Sequence, residues 1–121
     1  MTASDRQSQQ LARRMSDLAI DKKAQDVKLL DVRQLTDYTS YLLLLTAGNE
    51  RHARALADHL LETLRPEKIR PLGTEGYDGG QWILLDFGDV VVHIFVTATR
   101  LYYDLDSLWV EAARLPVGEG S

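Results

Sequence analysis

Residues Trp82–Phe95, WILLDFGDVVVHIF, form two apolar runs that meet at Gly88-Asp89, an arrangement typical of a β-hairpin. Alternate side chains of a strand point to opposite faces of the sheet. One face of this hairpin is wholly apolar and is predicted to be core; it carries Ile83, Leu85, Phe87, Val90, Val92 and Ile94. A turn at Phe87-Gly88 would leave the same residues on each face, so the prediction does not depend on the exact register.

The other face of the hairpin mixes aromatic, charged and titratable side chains, which a buried wall does not normally tolerate. It carries Trp82, Leu84, Asp86, Val91, His93 and Phe95. We expect this face to be covered by another element or to contact a partner, and both orientations of Trp82 stay open. Trp82 and Phe95 could form an aromatic anchor with Tyr102 and Tyr103, to which Asp86, His93 and Arg100 would provide orientation and charge. Of the two tyrosines, one is expected to pack into the core.

Upstream of the hairpin, the hydrophobic periodicity predicts two helices and two strands. The helices are expected at Gln7–Ala24 and Glu50–Arg65, the second capped by Asn49 and ended by Pro66. The strands are expected at 27–32 and 40–46, joined by a short turn at 35–38. Because the second strand is apolar on both faces, we expect it in the centre of the sheet.

The segments around the hairpin complete the expected fold. Ile69–Leu72 is predicted to be an edge strand, because Pro71 cannot donate to a ladder, and Gly73–Gly80 a flexible loop. Thr97–Tyr103 is predicted to be a connector, and Asp104 is predicted to be the N-cap of a last helix. That helix would place on one side Leu105, Leu108, Trp109 and Ala112. The order of elements predicts a single α/β domain over residues 1–121, with a mixed sheet of about five strands flanked by helices and ends frayed near 1–4 and 116–121.

Composition narrows the class of protein. A chain of 121 residues with 45% hydrophobic content and no cysteine fits one domain without a disulfide framework or a thiol nucleophile. Without a signal peptide or an apolar run long enough to cross a membrane, we expect a soluble, cytoplasmic protein. The net charge of −4 lies entirely in residues 81–121, which hold six acids and two arginines. This argues against much nucleic-acid contact there and favours a basic protein partner.

Three patterns could indicate enzyme chemistry, and each has a simpler interpretation. Asp104-x-Asp106 could hold a divalent metal, but acids in a first helical turn usually complement the helix dipole. The glycines of Gly73–Gly80 precede a strand rather than a helix, unlike a phosphate loop. The histidines His52, His59 and His93 lack the i, i+4 spacing of metal ligands. We therefore expect no catalytic residue, no metal site and no cofactor.

Motifs spread over most of the chain resemble those of a known protein family. The resemblance spans about Ala19 to Trp109 and is carried by five motifs. They are Asp21-Lys22-Lys23-Ala24, Leu30-Asp31-Val32-Arg33, Leu35-Thr36-Asp37-Tyr38-Thr39, the run from Glu75-Gly76 and Gly80 to Phe95, and Arg100-x-Tyr102-Tyr103-Asp104-Leu105-x-x-Leu108-Trp109. These motifs are similar to the signature of the ribosomal silencing factor family, also called Iojap or RsfS.

The resemblance implies a nucleotidyltransferase-like topology without an established catalytic activity. Members of this family bind the large ribosomal subunit through ribosomal protein number fourteen and block joining of the small subunit. They thereby repress translation when nutrients are scarce, as in stationary phase. It also implies that a homodimer can form. The partner-binding residues that it implies are Trp82, Leu84, Asp86, His93, Phe95, Arg100, Tyr102 and Tyr103. The first five are also on the mixed face of the hairpin.

Two alternatives stay open at this point. One is a metal-dependent nucleotidyltransferase-like enzyme that uses Asp86, Asp104 and Asp106. The other is self-association through the mixed face of the hairpin.

Overall fold

The computed structural model describes residues 3–118, with the backbone alone for Ala3 and Ser4. The helices are α1 (Ala3–Asp21), α2 (Glu50–Leu64), α3 (Thr97–Tyr103) and α4 (Leu105–Leu108). The strands are β1 (Gln25–Asp31), β2 (Tyr41–Ala47), β3 (Gly73–Glu75), β4 (Trp82–Asp86), β5 (Val90–Val96) and β6 (Ala113–Leu115). A single 3₁₀ turn, Arg65–Glu67, follows α2.

The strands form one mixed sheet in the order β3-β4-β5-β2-β1-β6. β2 and β5 run parallel, and the other neighbouring pairs described are antiparallel. Every residue of β2 is buried, and the strand lies between β5 and β1. The prediction of a central second strand is confirmed, and the physical reason is that both faces of the sheet are covered there.

The hairpin of β4 and β5 has the predicted geometry. Trp82 pairs with Phe95 and Asp86 with Val91, and the Phe87 N–H donates to the Val90 carbonyl over 2.9 Å. The two-residue turn is therefore Gly88-Asp89, and Gly88 adopts a left-handed φ of +86°. The face predicted to be core packs against α1 and α2 and is buried at Ile83, Leu85, Val90, Val92 and Ile94, with Phe87 partly buried at its edge.

The opposite face of the sheet has a smaller core of its own. Its buried residues are Leu30, Val32, Leu42, Leu44, Val91 and Phe95. The partly buried side chains of Leu105, Trp109 and Ala112 pack over it from the C-terminal segment, and Trp82 and Leu84 lie at its margin. The mixed face of the hairpin is thus covered at one side and open at the other.

The segment before the hairpin differs from the prediction. Ile69–Leu72 is not a strand; the edge strand is β3, at the start of the predicted loop. Pro71 has no N–H to donate, so the ladder begins after it, where the Leu72 N–H donates to the Asp86 carbonyl over 2.6 Å. The rest of the predicted flexible loop is tied to α2, because the Tyr77 hydroxyl donates to the Asp58 carboxylate over 3.0 Å.

The segment after the hairpin also differs. Residues 97–103 form helix α3 rather than a connector, and the last helix, α4, has only four residues. Asp104 lies at the N-cap position of α4, as predicted, but it has a left-handed φ of +49° and its side chain makes no capping hydrogen bond to the backbone of α4. Its carboxylate instead accepts from the Ser107 hydroxyl over 2.6 Å.

A short sixth strand was not expected from the sequence. β6 pairs antiparallel with β1 and forms the second edge of the sheet. Three residues are too few to show an alternating pattern, so tertiary pairing alone defines this strand.

Of the ends predicted to fray, residues 3 and 4 belong to α1, and residues 116–118 have no regular structure. Residues 1–2 and 119–121 lie outside the described residues. Among residues 3–118, no helix has the length and apolar character needed to cross a membrane.

Candidate partner-binding site

Three aromatic rings from two elements meet at the open side of the mixed face. The ring of Trp82, at the start of β4, lies 4.8 Å from that of Tyr103, and the Tyr103 ring lies 5.0 Å edge-on to that of Tyr102. Tyr102 is 82% exposed and Tyr103 55% exposed, while Trp82 is half-buried. We call Trp82, Tyr102 and Tyr103 the aromatic patch. The expectation that one tyrosine packs into the core is wrong, because α3 ends at the surface and both rings lie outside the sheet.

The inner edge of Trp82 is fixed by the strand beside it. The indole Nε1–H donates to His93 Nδ1 over 3.0 Å, and the indole ring lies 5.0 Å from the ring of Phe95. His93 and Phe95 are stacked with planes 9° apart. A tryptophan that is bonded on one side and open on the other suits an interface, since little rotamer freedom is lost on binding.

His93 does not bring charge to this surface. It is 5% exposed, and burial lowers its pKa from 6.5 to about 4, so it is neutral near pH 7. Since Nδ1 accepts from Trp82, the proton of the neutral ring is assigned to Nε2. His93 therefore orients Trp82 rather than attracting a partner.

Arg100 also points inward. It is 8% exposed and donates from Nε and Nη2 to the two carboxylate oxygens of Asp106, over 3.1 and 2.9 Å. Its Nη1 donates to the Asp26 carbonyl over 2.6 Å and to the Thr46 hydroxyl over 2.8 Å. The expectation that His93 and Arg100 supply charge to the contact face is wrong, because both side chains are buried, His93 is neutral and Arg100 is paired with Asp106.

The outer strand supplies the remaining residues of the site. Leu84 and Asp86 share the face of Trp82 and are half-buried. Asp86 Oδ1 accepts from the Gly88 N–H over 2.8 Å, which fixes the carboxylate at the hairpin turn. The structure therefore sorts the eight expected contact residues into five that reach solvent and three, His93, Phe95 and Arg100, that support them from below.

Several apolar side chains near the site were not among the expected contact residues. Leu101, Leu108 and Val110, on or next to α3 and α4, are each more than two-thirds exposed. Leu108 was expected on one side of the last helix with Leu105 and Trp109, but α4 ends at Leu108 and the side chain is exposed, so periodicity could not identify it. Asp106 was considered only as a metal ligand or as an acid at a helix start, because its pairing with Arg100 depends on the turn at Asp104.

The carboxylates considered for a metal are engaged with protein groups. Asp106 binds Arg100 and also Lys28 Nζ, over 2.7 Å, and Asp104 binds Ser107. Hydrogen bonding from Arg100 holds the pKa of Asp106 far below its usual range. Within residues 3–118, no three histidine or acidic side chains are grouped so that they could share a metal ion.

Comparison with known proteins agrees with the resemblance carried by the motifs. A family model described as ribosomal silencing factor during starvation matches residues 5–120. The ribosomal silencing factor RsfS of Chromobacterium violaceum is 37% identical over 89 residues, which cover 74% of this chain and 73% of that protein. A mouse protein named mitochondrial assembly of ribosomal large subunit protein 1 is 30% identical over 91 residues, 73% of this chain and 40% of its own length.

Solved structures share the fold as well as the sequence. A crystal structure of a protein from Chromobacterium violaceum superimposes with a TM-score of 0.77 at 32% identity, covering 94% of this chain and 91% of that one. The family model, the sequence relatives and the fold thus point to one assignment. The chain belongs to the ribosomal silencing factor family.

Proposed function

We propose that this protein binds the large ribosomal subunit through ribosomal protein number fourteen and sterically blocks joining of the small subunit, repressing translation when nutrients are limiting. The observation that carries the proposal is the aromatic patch, an exposed and oriented group of rings in a chain whose relatives are named silencing factors. The name of the mouse relative also refers to the large subunit. The action is that of a regulator rather than an enzyme, since occupancy of a surface needs no chemical step.

The residues of the patch are those that usually concentrate binding energy. Tryptophan and tyrosine are enriched among hot spots because they bury large area at low cost in conformational entropy. Trp82 is already held by His93, and Tyr103 rests on Trp82, so the patch is largely preorganised. Leu84 extends the apolar surface along β4. We propose that Trp82, Leu84, Tyr102 and Tyr103 make the direct contacts.

Charge around the patch favours a basic protein as the occupant. Two exposed carboxylates, on Asp104 and Glu111, follow α3 in the chain, and Asp86 lies at the hairpin end of β4. The arginine within α3, Arg100, is buried and paired with Asp106. A negative rim attracts the basic side chains of a ribosomal protein and repels RNA phosphates, so little direct nucleic-acid contact is proposed. A ribosomal partner also places the protein in the cytoplasm in this proposal.

Sedimentation with purified ribosomal subunits tests the proposal. The protein is expected to migrate with the large subunit and to reduce formation of joined ribosomes when small subunits are added. Tyr102→Ala should weaken this association, whereas the matched control Leu72→Ala should not. Leu72 is 80% exposed, much like Tyr102, but lies next to Gly88 at the far end of β4. Wild-type protein that stays in the supernatant would overturn the proposal.

A second measurement identifies the partner within the subunit. Isolated ribosomal protein number fourteen should bind the wild-type protein, and the affinity should fall as salt is raised because the carboxylates of Asp104 and Glu111 are exposed. Binding to whole subunits without binding to the isolated protein would reject this partner while keeping the ribosome as the target.

Self-association through the same patch is the second proposed function, because an exposed aromatic surface can bury itself against a copy of itself. Light scattering over a dilution series would detect a homodimer. Loss of the dimer on Tyr102→Ala would place it on the aromatic patch, and a dimer unaffected by this change would place it elsewhere.

A further inference from the structure

Helix α3 carries two of the three rings of the aromatic patch, yet little in its own sequence stabilises it. It has seven residues, too few for an isolated helix to persist in water, and it lacks a side-chain N-cap. It ends at Asp104, a non-glycine residue in the left-handed region at φ +49°. Tertiary contacts must therefore hold the helix and the strained turn that follows it.

Arg100 supplies those contacts from the middle of α3. Its three nitrogens reach three separate elements: the bulge of β1 through the Asp26 carbonyl, the end of β2 through Thr46, and α4 through Asp106. The pairing with Asp106 is bidentate and crosses the turn at Asp104, so it joins α3 directly to α4. Lys28 binds the same carboxylate from β1.

The orientation of this network matters for the aromatic patch. Tyr102 and Tyr103 follow Arg100 in the same helix, and their rings lie on the solvent side while the guanidinium lies beneath. A short helix that is pinned at Arg100 cannot rotate without breaking four hydrogen bonds. The tyrosine rings are thus held at fixed positions relative to Trp82.

We propose that Arg100 is a positioning residue for partner binding, with Asp106 as its anchor, and that the pair preorganises Tyr102 and Tyr103 without touching the partner. The inference rests on the proposed function, because it assigns these tyrosines to the contact surface. A preorganised surface loses less conformational entropy on binding, so the effect is on affinity rather than on the existence of the fold.

A double-mutant cycle between Asp106→Asn and Tyr102→Ala tests the inference, with affinity for purified large subunits as the readout. Asp106 is the residue to change first, since Arg100→Ala removes a buried cation and leaves Thr46 and Asp26 without their donor. Asp106→Asn alone should weaken binding on the order of tenfold, and mostly through faster dissociation. In the Tyr102→Ala background, the same change should have little further effect.

A matched control separates positioning from general loss of stability. Asp31→Asn makes the same change in another bidentate arginine–aspartate pair, with Arg33, but Asp31 pairs with Tyr41 at the opposite end of the sheet from the aromatic patch. It should lower the melting temperature and leave the affinity unchanged.

The outcomes are distinct. Wild-type affinity in Asp106→Asn, or fully additive effects with Tyr102→Ala, would overturn the positioning role while the proposed function stands. Equal losses of affinity in Asp106→Asn and Asp31→Asn would assign the effect to stability and also overturn it. Absence of binding by the wild-type protein would instead overturn the proposed function itself.

Discussion

The indole N–H of Trp82 donates to Nδ1 of the buried His93 over 3.0 Å, across two paired strands. One hydrogen bond thus links the exposed aromatic patch to a group that must stay neutral. Protonation of Nδ1 would remove the acceptor and place a charge against Phe95. The orientation of Trp82 and the protonation state of His93 are therefore two aspects of one interaction.

The first prediction concerns Trp82 as a contact residue. Trp82→Ala should cost on the order of 2 kcal/mol of binding free energy to large subunits, because a half-buried ring of the patch is lost. It should also lower the free energy of unfolding by about 1–3 kcal/mol, because His93 Nδ1 loses its donor. Titration of labelled protein with subunits and chemical denaturation measure the two effects.

Trp82→Phe is the matched control for this change. It keeps an aromatic ring but removes the N–H, so the stability loss should persist while most of the binding is retained. Unaltered affinity in Trp82→Ala would remove Trp82 from the contact surface.

The second prediction is a dependence of stability on pH that comes from His93. Its pKa is about 4 in the folded protein against 6.5 when exposed, so the unfolded chain binds the proton more readily between these values. Stability from this group is complete above pH 6.5 and is lost as the pH falls toward 4, by roughly 3 kcal/mol in total. Denaturation at a series of pH values measures the loss.

His93→Gln serves as the comparison, because a neutral side chain cannot take up the proton. The variant should show a shallower decline between pH 6.5 and 4 than the wild-type protein. Parallel curves for the two proteins would mean that His93 is not the group responsible.

The third prediction concerns the turn before β4. Gly76 has φ +77°, and a Cβ atom there would lie 2.0 Å from the backbone oxygen of Trp82. Gly76→Ala should therefore destabilise the fold by roughly 2–4 kcal/mol, since neither the strained dihedral nor the backbone clash can relax cheaply. Gly73→Ala is the control, as a Cβ at Gly73 meets no atom within 4 Å. Thermal unfolding should separate the two, and similar melting temperatures would contradict the geometry.

The fourth prediction concerns the start of α2. Asn49 Oδ1 accepts from the His52 N–H over 2.8 Å, which satisfies one of the free donors of the helix end. Asn49→Ala should cost about 1 kcal/mol of stability, and Asn49→Ser should recover most of it because serine also caps well. A variant Asn49→Ser as unstable as Asn49→Ala would show that the cap contributes little.

Local patterns were enough to predict most of the framework. Alternation along β4 and β5 identified the core face, the apolar run of β2 its central place, and Asn49 the start of α2. Each of these depends on neighbours in sequence, or on burial of both faces of one strand. The short elements could not be predicted from local sequence, because tertiary contacts define them; these are β3, β6 and the break between α3 and α4.

The sequence alone determined which residues share the mixed face of the hairpin, because side-chain direction in a strand follows from parity. Only the tertiary structure decided which of them are available to a partner. Phe95 belongs to the core that the C-terminal segment covers, and His93 lies against Trp82 and Phe95. Arg100 is buried because the turn at Asp104 brings Asp106 to it. Exposure depends on what packs against a residue, and that packing joins segments far apart in the chain.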